Sequence, residues 1–391
     1  MSEVVIVEAV RSPLGKRRGG LSGLHATHLL AKVQAELVKR AGIDPLEIGQ
    51  VVGGCVGQVG MQAMNVTRNA WLTAGLPLEV AASTVDAQCG SSQQASNMAY
   101  ALVASGVVDA AVGCGVESMS NVPMGSTIPK DPVVGKPVTK EYWKHFEFTS
   151  QFEGAERIAK KWGIAREDCD VFGKLSQDRA AEAWAGDRYG SQIVPIEAPE
   201  LDDERKPLET KTTISKDEGL RETHLEGLAG LRTNMPDGVH TAGTSSQITD
   251  GAGAVLMMTR EKAAALGLAV KATIVDSCLV GSDPEMMLTG PIGATQKLLS
   301  KNSLSMNDID VVEINEAFAS VVLAWEKELK PDMSRVNPNG GAIALGHPLG
   351  GTGAILLTKA VHELERADKE HAIVTMCCGG GLGTGTLLRR G

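Results

Sequence analysis

The chain has 391 residues, 43% hydrophobic and 22% charged, a globular balance that excludes a disordered protein. Its length exceeds what one simple core holds, so two or three packed units are expected. A net charge of −9 argues against a broad nucleic-acid footprint, and Lys16-Arg17-Arg18 reads as a solvated surface turn.

In chain order, the first 120 residues alternate strand and helix signals. EVVIVEAV reads as a buried strand, and HLLAKVQAELVKRAGI as a helix with Leu30, Val33, Leu37 and Ala41 on one face. QVVGGCVGQ, ASTVDAQ and DAAVGCGVE read as further strands, with NVTRNAWLTAGL and SSQQASNMAYALVASG as helices between them. From about Asn121 to Gly243 the chain is rich in Pro, Gly and charge and reads as an insertion or lid, with helices in GAERIAKKWGI and REDCDVFGKLSQDRAAEAWAG. After Asp250 the alternation returns: strands in GAVLMM, VKATIVDSCLVG, IDVVEIN and HAIVTMCCGGG, helices in TREKAAALGL, GPIGATQKLLSKN, EAFASVVLAWEKEL and GGTGAILLTKAVHELER. The second half repeats the first. VVGGCVGQ corresponds to IDVVEIN, DAAVGCGVE to HAIVTMCCGGG, and the helix after Cys89 to the helix after His347-Pro348.

No signal peptide and no run approaching a membrane span of about 18 residues is visible, so a cytoplasmic protein without a membrane span is expected. The seven cysteines lack CxxC or framework spacing, which argues against a disulfide scaffold and a structural zinc site.

Open α/β sheets collect ligands at the carboxyl ends of strands, and four short stretches fall there. Cys89, between a strand and a helix, reads either as a packing residue or as a nucleophile. In the second reading the helix N-terminus lowers its pKa below the free value of about 8.5. His347 lies among Gly340, Gly341, Gly350, Gly351 and Gly353, either as a satisfied histidine or as a base for Cys89. Cys377 ends a strand before three glycines, where a thiol suits proton transfer at carbon; Cys378 should face the other way. Asn315 is either the cap of the following helix or a holder of a water at a reacting carbonyl.

Together, a CGS cysteine, NEAFA, GGAIALGHPLGxTG and CxGGG, in this order over nearly the whole chain, resemble the thiolase family. The resemblance implies a five-layer α/β/α/β/α fold of two duplicated halves plus an inserted loop domain. It divides the chain into 1–120 (completed by about 251–269), a loop domain 121–250 over the coenzyme A site, and 270–391. By position it implies that Cys89 carries the acyl group, His347 activates it, and Cys377 acts at the substrate α-carbon. Asn315 would hold a water that forms one oxyanion hole with His347; the N–H groups of Cys89 and Gly379 would form the second. Arg221 and Ser246 are candidates for coenzyme A contact, against a solvated surface reading for Arg221. The implied reaction is ping-pong cleavage of 3-ketoacyl-CoA or its reverse, with CoA as substrate, no cofactor, and a homotetramer or homodimer. A ketosynthase-like condensing enzyme and a silent lipid-binding relative are the alternatives. QFEGAE (Gln151 to Glu156) and AGTSSQ depart from common family patterns and look like actinobacterial thiolases linked to sterol breakdown.

Overall fold

The computed structural model describes residues 2–391. Its first half runs β1 (Val4–Arg11), β2 (Gly15–Lys16), α1 (Ala26–Ala41), β3 (Gln50–Gly54), α2 (Val66–Thr73), β4 (Ala81–Val85), α3 (Ser91–Ala104) and β5 (Ala110–Ser118). β5 is buried at every position and β1 at all but one, because both faces of their sheet are covered. α1 buries Leu29, Leu30, Val33 and Leu37. The His25 ring caps it by accepting the Thr27 N–H at 3.2 Å, and Gly42, at φ +67°, ends it in the left-handed conformation.

The chain then leaves the sheet for residues 119–248, which hold α4 (Gln151–Trp162), α5 (Arg166–Ala185), the hairpin β6 (Ile196–Leu201) and β7 (Pro207–Ile214), and α6 (Leu225–Ala229). Arg11 on β1 anchors this insertion. Two guanidinium nitrogens reach Asp217 at 2.7 and 3.0 Å, both side chains are fully buried, and Asp217 also accepts the Leu14 N–H at 2.8 Å. Removing one partner strands a buried charge, at a cost of about 3–5 kcal/mol.

β8 (Thr249–Thr259) and α7 (Arg260–Ala265) lead into the second half: β9 (Ala272–Gly281), α8 (Gly290–Lys301), β10 (Val311–Ile314), α9 (Ala319–Leu329), α10 (Thr352–Arg366), β11 (His371–Cys378) and β12 (Leu382–Arg390). The strand order is β4-β3-β5-β8-β1 in one half-sheet and β10-β11-β12-β9 in the other. They meet in a short antiparallel contact, Val5 with Thr273 and Ile6 with Ala272. Each half repeats one pattern: β3 and β5 are parallel, as are β10 and β11, while β5-β8-β1 and β11-β12-β9 are antiparallel. A parallel bridge from Val312 to Val336 stands where the counterpart of β4 would lie.

α1 and α2 cover the outer face of the first half-sheet, and α8 and α9 that of the second. α3 and α10 lie between and touch strands of both, which completes five layers. The central pair packs closely: a Cβ on Gly353 would sit 2.2 Å from the Gln93 backbone nitrogen, and Ser92 Oγ accepts the Ala354 N–H at 2.9 Å. Val103, Leu357, Val361 and Leu364 are fully buried between the sheets, each contributing about 1.5–3 kcal/mol.

Some elements differ from the sequence reading. β12 over LGTGTLLRR and the hairpin β6–β7 are strands it did not include, β8 starts at Thr249 rather than in GAVLMM, and α9 starts at Ala319 with Phe318 as its cap residue. Asn315 is therefore not a helix cap.

Candidate active site

Four strand ends and turns converge. The Cys89 turn lies between β4 and α3; Ser91 Oγ donates to Gln88 O at 2.6 Å and accepts the Ala87 N–H at 3.0 Å, which fixes the turn. Gly90 is required there, because a Cβ would meet Cys378 Sγ at 2.5 Å and Thr384 Cγ2 at 2.7 Å. The first half's turn thus rests on β11 and β12 of the second. Asn315 follows β10, His347 lies in the loop before α10, Cys377 is on β11, and Gly379 follows it. Cys378 faces the central core, and Cys377 the opposite side.

The His347 ring is held by two contacts. Thr352 Oγ donates to Pro348 O at 3.0 Å, so it accepts from His347 Nδ1–H at 2.6 Å, which leaves Nε2 unprotonated. Nε2 lies 3.4 Å from Asn315 Nδ2. Asn315 Oδ1 is buried without a partner, an acceptor available to a water or substrate. Burial lowers the His347 pKa to about 4, so the ring is a neutral base at pH 7.

Cys89 departs from expectation. Its pKa is pushed up to about 11, chiefly by burial, although the backbone N–H groups of Gly379 and of Cys89 itself favour the thiolate. Burial outweighs the helix end, whose cap position is Gly90 rather than Cys89. Burial also raises the Cys377 thiol well above its ordinary value, and charge on Cys89 raises it further.

Two buried carboxylates shape the loops. Glu117 accepts N–H groups from Val56, Gly57 and Gly350 at 2.9 Å each and from Gln62 Nε2 at 2.7 Å, pinning the loop that carries His347. Glu316 accepts from Ser176 Oγ at 2.6 Å, Asn337 Nδ2 at 2.8 Å and Ile343 N–H at 3.1 Å. Sequence reasoning missed Glu117, Glu316 and Thr352; a Glu inside the apolar run AAVGCGVES was the available signal.

A cavity of about 480 Å³ opens over these groups, with Cys89, His347 and Gly379 in its wall. Its apolar lining comprises Met119, Met124, Phe152, Leu288 and Phe318 among others. Arg221 and Ser246 line it; Arg221 Nη2 donates to Gln247 Oε1 at 3.0 Å and the Ser246 N–H to Ala317 O at 2.9 Å. Lys16 and Arg17 line it too, and both are exposed on a turn, as the sequence suggested. Asn315 and Cys377 are buried and outside the lining.

The family model described as Thiolase, N-terminal domain matches residues 4–261, and Thiolase, C-terminal domain matches residues 268–390. The chain is 43% identical to the steroid 3-ketoacyl-CoA thiolase FadA6 of Mycobacterium tuberculosis, over all of this chain and 95% of that one. It is 40% identical to the 3-ketoacyl-CoA thiolase of Bacillus subtilis, over 98% of each. The crystal structure of the Bacillus anthracis acetyl-CoA acetyltransferase superposes with a TM-score of 0.90 at 36% identity, covering 100% of this chain and 99% of that one.

Proposed function

The chain belongs to the thiolase family, and on that premise we propose that it is an acyltransferase cleaving 3-ketoacyl-CoA with CoA, or running the reverse Claisen condensation. One observation carries the assignment of roles: a thiol with N–H donors aimed at its sulfur and a neutral imidazole with a bare Nε2 share one cavity.

Cys89 Sγ attacks the 3-keto carbon as its proton passes to His347 Nε2, because neither group is charged at rest. The Cα–Cβ bond breaks, and the acetyl-CoA enolate takes a proton at Cα from Cys377. The resulting Cys377 thiolate then deprotonates a second CoA, whose sulfur attacks acyl-Cys89. Cys89 leaves as a thiolate and recovers its proton from His347. A water on Asn315 together with His347 Nε2 stabilises one oxyanion, and the N–H groups of Cys89 and Gly379 stabilise the other. CoA is a substrate, and no step calls for a resident cofactor.

Residues 121–250 act as a loop domain over the CoA site, between halves formed by 1–120 with 251–269 and by 270–391. Lys16, Arg17 and Arg221 give the cavity a cationic side suited to CoA phosphates, and Ser246 faces the pantetheine. The apolar lining supports an acyl group longer than acetoacetyl. The reading places the enzyme in the cytoplasm; among the described residues no helix is long and apolar enough to cross a membrane. It also includes a homodimer or homotetramer, supported by the exposed edge strand β4.

The test is intact-protein mass spectrometry after incubation with a 3-ketoacyl-CoA and no free CoA. The wild type gains one acyl group and Cys89→Ala gains none; acylation that persists in the variant overturns the assignment.

A further inference from the structure

The catalytic cavity has a neighbour. A second cavity of about 530 Å³, with Leu231, Arg232, Thr233 and Met235 in its wall, shares Phe152, Asn234 and Ala242 with the first. These three residues border both. Ala242 offers only a methyl group. Asn234 is pinned, since its Nδ2 donates to Ser245 Oγ at 2.9 Å and its backbone N–H to His240 O at 2.8 Å. Phe152 is the largest of the three.

The position of Phe152 is fixed by its backbone rather than by its ring. It lies in the first turn of α4, where the cap residue Ser150 accepts the Glu153 N–H at 3.2 Å. The ring stands edge-on to Phe318, centroids 5.6 Å apart and planes at 77°, and is still 38% exposed. Phe318 is buried and braced in turn by His240, ring centroids 5.4 Å apart. The apolar lining of the catalytic cavity therefore includes a ring that a single substitution would delete, and the second cavity borders the same ring.

We infer that Phe152 sets the size limit of the acyl group, and that the second cavity is a subsite for the distal part of bulky 3-ketoacyl thioesters once that ring is reduced. The inference rests on the thiolase reading above. It follows from space alone: Phe152 borders both the catalytic cavity and a second volume comparable to it, so a smaller side chain there would join the two.

The experiment compares kcat/KM for thiolysis of a four-carbon linear, a sixteen-carbon linear and a polycyclic 3-ketoacyl-CoA in wild type, Phe152→Leu and Phe152→Ala. The ratio of bulky to four-carbon kcat/KM should rise by about tenfold or more in Phe152→Ala and by less in Phe152→Leu, in line with what a few methylenes of pocket space discriminate. An unchanged or lower ratio overturns the inference, and Phe152→Leu decides the matter should the alanine variant fail to fold. A wild type that cleaves none of the three substrates is a different outcome: it removes the thiolase reading itself, and this inference with it.

Discussion

The two halves of the molecule use equivalent strand ends for different work. Gly54 pairs with Gly115 across β3 and β5 as Ile314 pairs with Thr375 across β10 and β11. Cys55 and Glu117 thus stand where Asn315 and Cys377 stand in the other half. The next strand agrees, since Glu117 pairs with Gly251 and Cys377 with Gly383. In the first half Glu117 receives four N–H groups, and burial together with the Glu117 charge pushes the Cys55 thiol up. In the second half Asn315 Oδ1 is buried without a partner and Cys377 is an unpaired thiol. A saturated carboxylate makes a clamp, whereas an unfilled acceptor beside a thiol leaves capacity for a substrate. The clamp also serves the chemistry at one remove, because one of its four donors is Gly350, three residues past His347.

The comparison is broken most directly by exchanging the expected consequences. Cys377→Ala should lower thiolysis by about 10³-fold, the scale of a lost acid–base group, with at most about 1 kcal/mol change in stability. Steady-state rates and urea unfolding measure the two sides. Glu117→Gln should behave in the opposite way. An amide replaces one acceptor oxygen with a donor that faces N–H groups, which costs about 2–3 kcal/mol of stability, while the rate falls about tenfold as the His347 loop loosens. A Glu117→Gln protein as stable as wild type, yet as inactive as Cys377→Ala, would place Glu117 in the chemistry and end the comparison.

Most of this architecture was legible because doubly covered strands read as continuous apolar runs that alternate with helical stretches. Legibility failed where polar or small residues did structural work. β12, LGTGTLLRR, alternates Gly and Thr because it lies under α8; a Cβ on Gly383 would meet the Gly290 carbonyl at 2.4 Å. The hairpin strand β7 is exposed along nearly its whole length, so its charges carried no strand signal. Cys89, His347, Asn315 and Cys377 were visible as motifs, but the proton affinities of the two thiols and the imidazole were not. The sequence shows a cysteine beside a helix end, and only the packed structure shows that desolvation exceeds what that end supplies.

The equivalent helix starts offer the finest comparison. Ser91 at the start of α3 and Thr352 at the start of α10 both donate a hydroxyl to a preceding carbonyl, Gln88 O and Pro348 O. Ser91 accepts a backbone N–H and braces the Cys89 turn, whereas Thr352 accepts His347 Nδ1–H and sets the tautomer. With Cys89 raised to about 11 and His347 lowered to about 4, the proton rests on sulfur at neutral pH. Raising the pH therefore increases the thiolate. Alkylation of Cys89 by iodoacetamide should climb about tenfold per pH unit from 6 to 10, whereas a resting thiolate–imidazolium pair would give a plateau across that range. Thr352→Val keeps the shape of the side chain and removes the hydroxyl. Nδ1–H then loses its acceptor, and the competing tautomer carries a proton on Nε2, which cannot accept the one from Cys89. Thiolysis should fall by about tenfold while the alkylation slope is unchanged, because free thiolate formation needs no base from His347. A Thr352→Val enzyme with a wild-type rate would make that hydroxyl a helix brace like Ser91 and remove the distinction.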